Sequence, residues 1–70
     1  MTYNEALRHL MKERGLRQVD LANAIGRSRS YVSQLMSGEV KEPTLSVAFA
    51  IADAIGVPLQ AFIDLMRSEG

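Results

Sequence analysis

The chain has 70 residues and no cysteine, which limits it to one small domain with a modest core and excludes a disulfide framework or a thiolate metal site. Its longest apolar stretch, residues 45–57, contains Asp53 and is too short to cross a bilayer, so no membrane association is expected. Net charge is zero but polarised. Residues 1–41 hold Arg8, Lys12, Arg14, Arg17, Arg27, Arg29 and Lys41 against Glu5, Glu13, Asp20 and Glu39, a net +3, while residues 42–70 hold Arg67 against Glu42, Asp53, Asp64 and Glu69, a net −3. A local field, not the total charge, decides where a phosphate backbone docks.

The first helix is expected over about residues 3–14. Thr2 and Glu5 have capping-box spacing, in which each side chain satisfies the other residue's free backbone amide. Leu7, Leu10 and Met11 form its inner stripe, Gly15 stops it, and Leu16 packs back against it. Thr2, Asn4 and Glu5 do not make the basic-then-apolar pattern of a secretory signal, so a cytoplasmic location is expected.

Residues 18–38 read QVDLANAIGRSRSYVSQLMSG. A second helix over about 18–25 carries Val19, Leu21, Ala22 and Ile25, and starts on Arg17, a poor capping residue. A third over about 28–37 carries Val32, Leu35 and Met36 and ends at Gly38. Between them Gly26 can take the positive φ of a sharp helix exit, and Ser28 is a good N-cap. The third helix opens onto Arg29, Ser30, Ser33 and Gln34. Arg and Gln make bidentate contacts to base edges, so the segment reads as a helix-turn-helix with its second helix in the major groove.

After a loop over residues 39–43, Thr44 is the natural N-cap of a fourth helix over about 45–55, with Leu45, Ala48, Ile51, Ala52 and Ile55 on its inner face and Gly56 at its end. Pro58 sits at the first turn of a fifth helix, where its missing amide costs nothing; the helix is expected over about 59–67 and carries Leu59, Phe62, Ile63 and Met66, with fraying expected over Ser68, Glu69 and Gly70. No strand pattern, repeat or low-complexity linker is present. The chain is expected to be all-α, a compact bundle of five short helices in a single domain over residues 1–70.

The ordered set Gly15-Leu16, Gln18, Leu21-Ala22, Ile25-Gly26, Val32, Gly38, Pro43, Ile51-Ala52 and Ile55-Gly56-Val57 resembles the phage-repressor and Cro-type helix-turn-helix proteins, the xenobiotic-response-element (XRE) family of bacterial and phage regulators. The resemblance runs from the first helix to the start of the fifth. It implies a lambda-repressor-like DNA-binding domain. It implies that Gln18 binds a DNA phosphate, that Arg29 and Ser30 face base edges, that Ser33 and Gln34 face bases or phosphates, and that Lys41 and the amides around Thr44 meet phosphates across the groove. Two departures stand out. Arg17 replaces the usual Thr or Ser, which removes a cap and places a cation, a further phosphate contact, beside the second helix. Met11 and Met36 stand where the family often pairs an Arg with a Glu, and replacing a buried ion pair by packed apolar groups is often neutral or stabilising.

Arg27, beside the turn, is a secondary phosphate candidate. Tyr31 either lies against sugar and phosphate or packs over the second helix. His9, flanked by Glu5 and Glu13 at helical spacing, reads as an exposed side chain and not a metal ligand, since no second His or Cys supports one. Asp53 and Asp64 have no evident catalytic partner and no glycine-rich phosphate loop is present, so neither an enzyme, a cofactor nor a small-molecule ligand is expected. Phe49, Phe62, Ile63, Leu65 and Met66 exceed what one inner face can hide. Phe62, Ile63 and Met66 are the expected homodimer interface, by which relatives place two reading helices about one DNA turn apart, ~34 Å. The expected function is a double-stranded DNA-binding transcriptional regulator, a repressor acting on a palindromic operator. The rival is a protein-interaction module, an adaptor or antitoxin-like partner, on the same fold.

Overall fold

The computed structural model describes residues 1–68, so of the expected C-terminal fraying the part on Glu69 and Gly70 lies outside the described residues. Five helices follow one another: α1 (Tyr3–Arg14), α2 (Gln18–Ile25), α3 (Arg29–Ser37), α4 (Leu45–Ile55) and α5 (Leu59–Arg67). No strand occurs among the described residues.

The helix starts follow from short hydroxyl side chains. Glu5 N–H donates to Thr2 Oγ1 at 3.4 Å while Thr2 N–H donates to Glu5 Oε1 at 2.9 Å, closing the capping box of α1. Ser28 Oγ accepts from Tyr31 N–H at 3.1 Å, and Thr44 Oγ1 accepts from Val47 N–H at 3.4 Å. At the C-terminal end of α1, Leu16 N–H donates to Met11 O at 3.0 Å, which folds Leu16 back so that it packs half-buried on the core.

The buried side chains are the ones that the helical spacing brings inward. Leu7 and Met11 of α1, Leu21 and Ala22 of α2, Val32 and Leu35 of α3, Ile51 and Ile55 of α4, and Phe62 of α5 form one continuous cluster. The helix α2 packs on both α3 and α4, and α1 packs on α3, α4 and α5. Met11 is buried and Met36 packs half-buried against the same cluster, so no ion pair stands at these two positions and both side chains join the apolar core. Among the described residues none of the buried ones is polar or charged, apart from the hydroxyl carried by Tyr3. Helices α4 and α5 meet at 101°, and no single helix among the described residues is long and apolar enough to cross a membrane.

Two expectations fail in α4 and α5. Leu45, placed on the inner face of α4, is 67% exposed. The buried arc of α4 centres on Ile51, and Val47 takes the inward direction of the first turn. Leu45 therefore lies at the edge of that arc, on the same side as the exposed Phe49 one turn on. Phe62, placed at the dimer interface, is only 1% exposed and belongs to the core. The apolar residues of α5 span a wide arc; Phe62 falls near its middle, where the ring of Tyr3 stacks on it, and Ile63 falls at its edge. Of the three residues expected to face a second copy, Ile63 is exposed, Met66 is half-buried, and Phe62 is not available.

Candidate nucleic-acid interface

The turn between α2 and α3 is built by backbone geometry. Gly26 has φ 70°, a left-handed conformation that costs a residue with a Cβ roughly 1–2 kcal/mol. In that conformation Arg27 N–H donates to Ala22 O at 3.0 Å, which closes α2 and swings the chain away from its axis. Ser28, in extended backbone, caps α3 immediately afterwards. Leu21 and Ala22 on one helix and Val32 and Leu35 on the other are buried, so the angle between α2 and α3 is locked by packing.

With Val32 and Leu35 fixed inward, helical spacing places Arg29, Ser30 and Ser33 on the opposite arc of α3, and all three are exposed. Gln34 stands beside them, half-buried. Its backbone oxygen accepts from Val40 N–H at 3.1 Å and from Ser37 Oγ at 3.2 Å, which holds the loop after α3 against the helix end. Arg29 occupies the first position of α3, where unpaired backbone amides leave a partial positive charge that adds to its own. Together these side chains offer a cation, two hydroxyls and an amide on one rigid helical edge.

Arg17 and Gln18 lie exposed at the start of α2. Arg17 does not stand alone there. Its Nε donates to Asp20 Oδ2 at 3.1 Å and an Nη donates to Asp20 Oδ1 at 3.2 Å. Arg17 N–H donates to Asp20 Oδ2 at 3.1 Å, the half of a capping box that the third helical residue supplies, while Arg17 itself offers no acceptor to the amides that follow it. The guanidinium hydrogen bonds, then the backbone bond, hold the Asp20 carboxyl below its ordinary range, and the same pairing raises the Arg17 pKa.

Arg27 is exposed beside the turn, with its guanidinium carbon 5.3 Å from the centre of the Tyr31 ring, a cation–π contact worth about 0.5–1 kcal/mol at an exposed site. Tyr31 is half-buried against the core, so packing holds the ring and the ring carries the cation. Lys41 is exposed within the α3–α4 loop and Thr44 is exposed at its end, where it caps α4. Lys41 lines an open groove together with Asn4, Gly38 and Glu42.

Two residues of this region escape a reading of the sequence. Asp20 was legible in principle, since an acid three positions after Arg17 on a helix is within pairing distance. Asn4 was not. Its Nδ2 donates to Met36 O at 3.4 Å across 32 residues of sequence, bracing the C-terminal turn of α3 from the start of α1. His9 Nε2 lies 3.5 Å from Glu13 Oε2 on the exposed side of α1, and no group of three His, Cys, Asp or Glu among the described residues is placed to hold a metal.

A helix-turn-helix family model matches residues 7–62, from the middle of α1 to the middle of α5. The chain is 35% identical over 63 residues to an immunity repressor protein of Bacillus phage phi105. The aligned stretch covers 90% of this chain and 43% of that relative, so the chain spans less than half of its length. The match covers both helices of the motif, the glycine turn between them, all of α4 and parts of α1 and α5; this chain belongs to the XRE-type family of DNA-binding helix-turn-helix domains.

Proposed function

We propose that this chain is a transcriptional regulator that binds a palindromic double-stranded operator as a homodimer and represses by occupying a promoter. The observation that carries the reading is the exposed edge of α3, where Arg29, Ser30 and Ser33 project from a helix whose other side is locked into the core. In the major groove, Arg29 takes guanine O6 and N7 together, Gln34 pairs with adenine, and the two serines donate to or accept from either base edge. Arg17, Gln18, Arg27, Tyr31, Lys41 and Thr44 hold phosphates on the two sides of the groove and fix the register. The immunity repressor that shares 35% identity with the chain supports a repressor role over an activator role.

The second copy docks through the apolar surface left open by α4 and α5. Leu45, Phe49 and Ile63 are 67%, 56% and 38% exposed, and Ile63 adjoins the half-buried Met66. An exposed apolar surface of this kind marks an interface. The same surface is what favours the rival reading, a module that binds another protein. Selection of a randomised duplex library on the purified protein, followed by salt titration on the best sequence, separates the two. Enrichment of a palindrome whose affinity falls steeply with salt supports the operator-binding dimer. No enrichment at low salt overturns it in favour of a protein partner.

A further inference from the structure

We propose that Asp20 competes with a DNA phosphate for Arg17, and thereby sets how strongly the N-terminal end of α2 grips the DNA backbone. The inference rests on the DNA-binding reading above and adds a residue to it that opposes binding.

The Asp20 carboxylate takes three donors at once. Two come from the forked edge of the Arg17 guanidinium, at 3.1 and 3.2 Å, and one from the Arg17 backbone amide, at 3.1 Å. A parallel pair of guanidinium N–H groups beside a helix-start amide is also what a phosphate accepts from. The carboxylate thus occupies, from within the chain, the donor set that a DNA phosphate at this end of α2 would use. The pair lies at the surface, with the Arg17 side chain 76% exposed and that of Asp20 38% exposed, so it opens without disturbing the core. Arg29, by contrast, has no ion-pair partner among the described residues and is ready for DNA as it stands.

Two consequences follow. Arg17 reaches a phosphate only by giving up Asp20, so its contribution to affinity is the difference between two ion pairs. In complexes where the pair stays closed, Arg17 neutralises no phosphate and fewer counterions are released when DNA docks. Because phosphate contacts carry no sequence information, the effect is the same on cognate and unrelated duplexes.

The test is a double-mutant cycle on duplex affinity across a salt series. Asp20→Asn keeps an oxygen for the Arg17 amide and removes the competing charge. It is expected to tighten binding about two- to fivefold per protomer at low salt, the range an exposed ion pair spans. The slope of log affinity against log salt should steepen by about 0.9 per protomer. In an Arg17→Ala background the same substitution is expected to change little. Should Asp20→Asn lower the folding midpoint, Asp20→Gln runs the same cycle, since Gln serves the capping position as well as Glu does. Wild-type binding with no gain in Asp20→Asn overturns the inference alone. So does a gain that persists undiminished in Arg17→Ala, which would make Asp20 a general repelling charge. Absence of duplex binding by the wild type and every variant overturns the DNA-binding reading, and this inference with it.

Discussion

The ring of Tyr3 stacks on the ring of Phe62, with centroids 5.1 Å apart and planes 11° from parallel, and so ties the first turn of α1 to the middle of α5. Both rings are buried, but the Tyr3 hydroxyl has no hydrogen-bond partner among the described residues. Burial, with a smaller push from Tyr31, raises the phenol well above its ordinary pKa. An unpaired buried hydroxyl costs stability, whereas the stack needs only the ring. Tyr3→Phe should therefore raise stability by about 1 kcal/mol, seen as a higher urea midpoint at an unchanged slope. A lower midpoint would show that the hydroxyl is satisfied by a bound water.

Arg29 is the residue most directly placed to read sequence. It stands at the first position of α3 and is exposed beside Ser30 and Ser33. Arg29→Ala should relax the preference at one base pair of each half-site by about 1–3 kcal/mol, while leaving the unfolding free energy within about 0.5 kcal/mol of wild type. Affinity for the selected operator and for single-base variants of it measures the change. Uniform weakening on every sequence would assign Arg29 to a phosphate instead.

Phe62 and Ile63 are neighbours in sequence with opposite environments, one in the core and one 38% exposed. Substitution should separate them. Phe62→Ala removes the partner of Tyr3 from a small core and should cost about 3–5 kcal/mol, enough to unfold much of the population. Ile63→Asp should leave helicity and melting nearly unchanged but shift sedimentation from dimer to monomer and weaken operator binding. Phe49→Asp, on the exposed side of α4, should act in the same direction. Monomeric wild-type protein at working concentration would remove the dimer from the proposal.

The helix spans were legible because their ends are chemical. Thr2, Ser28 and Thr44 hold their hydroxyls where a helix start needs an acceptor, and Gly26 supplies the backbone conformation that the turn needs. These signals act over three or four residues and do not depend on the rest of the fold. The inward faces of α1 and α3 were legible for a related reason, since each has one narrow apolar stripe. In α4 and α5 the stripe is too wide to point in one direction. The sequence alone then cannot say that Val47 turns inward and Leu45 outward, or that Phe62 meets Tyr3, because those choices are made by α2 packing on α4 and α1 packing on α5. Asn4, at the end of a contact 32 residues long, is hidden for the same reason.

Acid should loosen the starts of α1 and α2 together. Glu5 is held below its ordinary pKa chiefly by the hydrogen bond it accepts from Thr2 N–H, and Asp20 by the guanidinium and then the backbone of Arg17. A carboxyl with a depressed folded pKa binds fewer protons folded than unfolded over the interval between the two values. Its stabilisation is therefore complete above the ordinary carboxylate range, near about pH 4, and is lost as pH falls through the folded value. The thermal midpoint followed by circular dichroism should hold from neutral pH to about pH 5 and then fall toward pH 2. Glu5→Gln combined with Asp20→Asn keeps an acceptor at both helix starts but removes the titrating groups. The double variant should lose part of that acid dependence while remaining helical at neutral pH. An acid profile identical to wild type would place the sensitivity in other carboxylates and leave these two caps without a role in it.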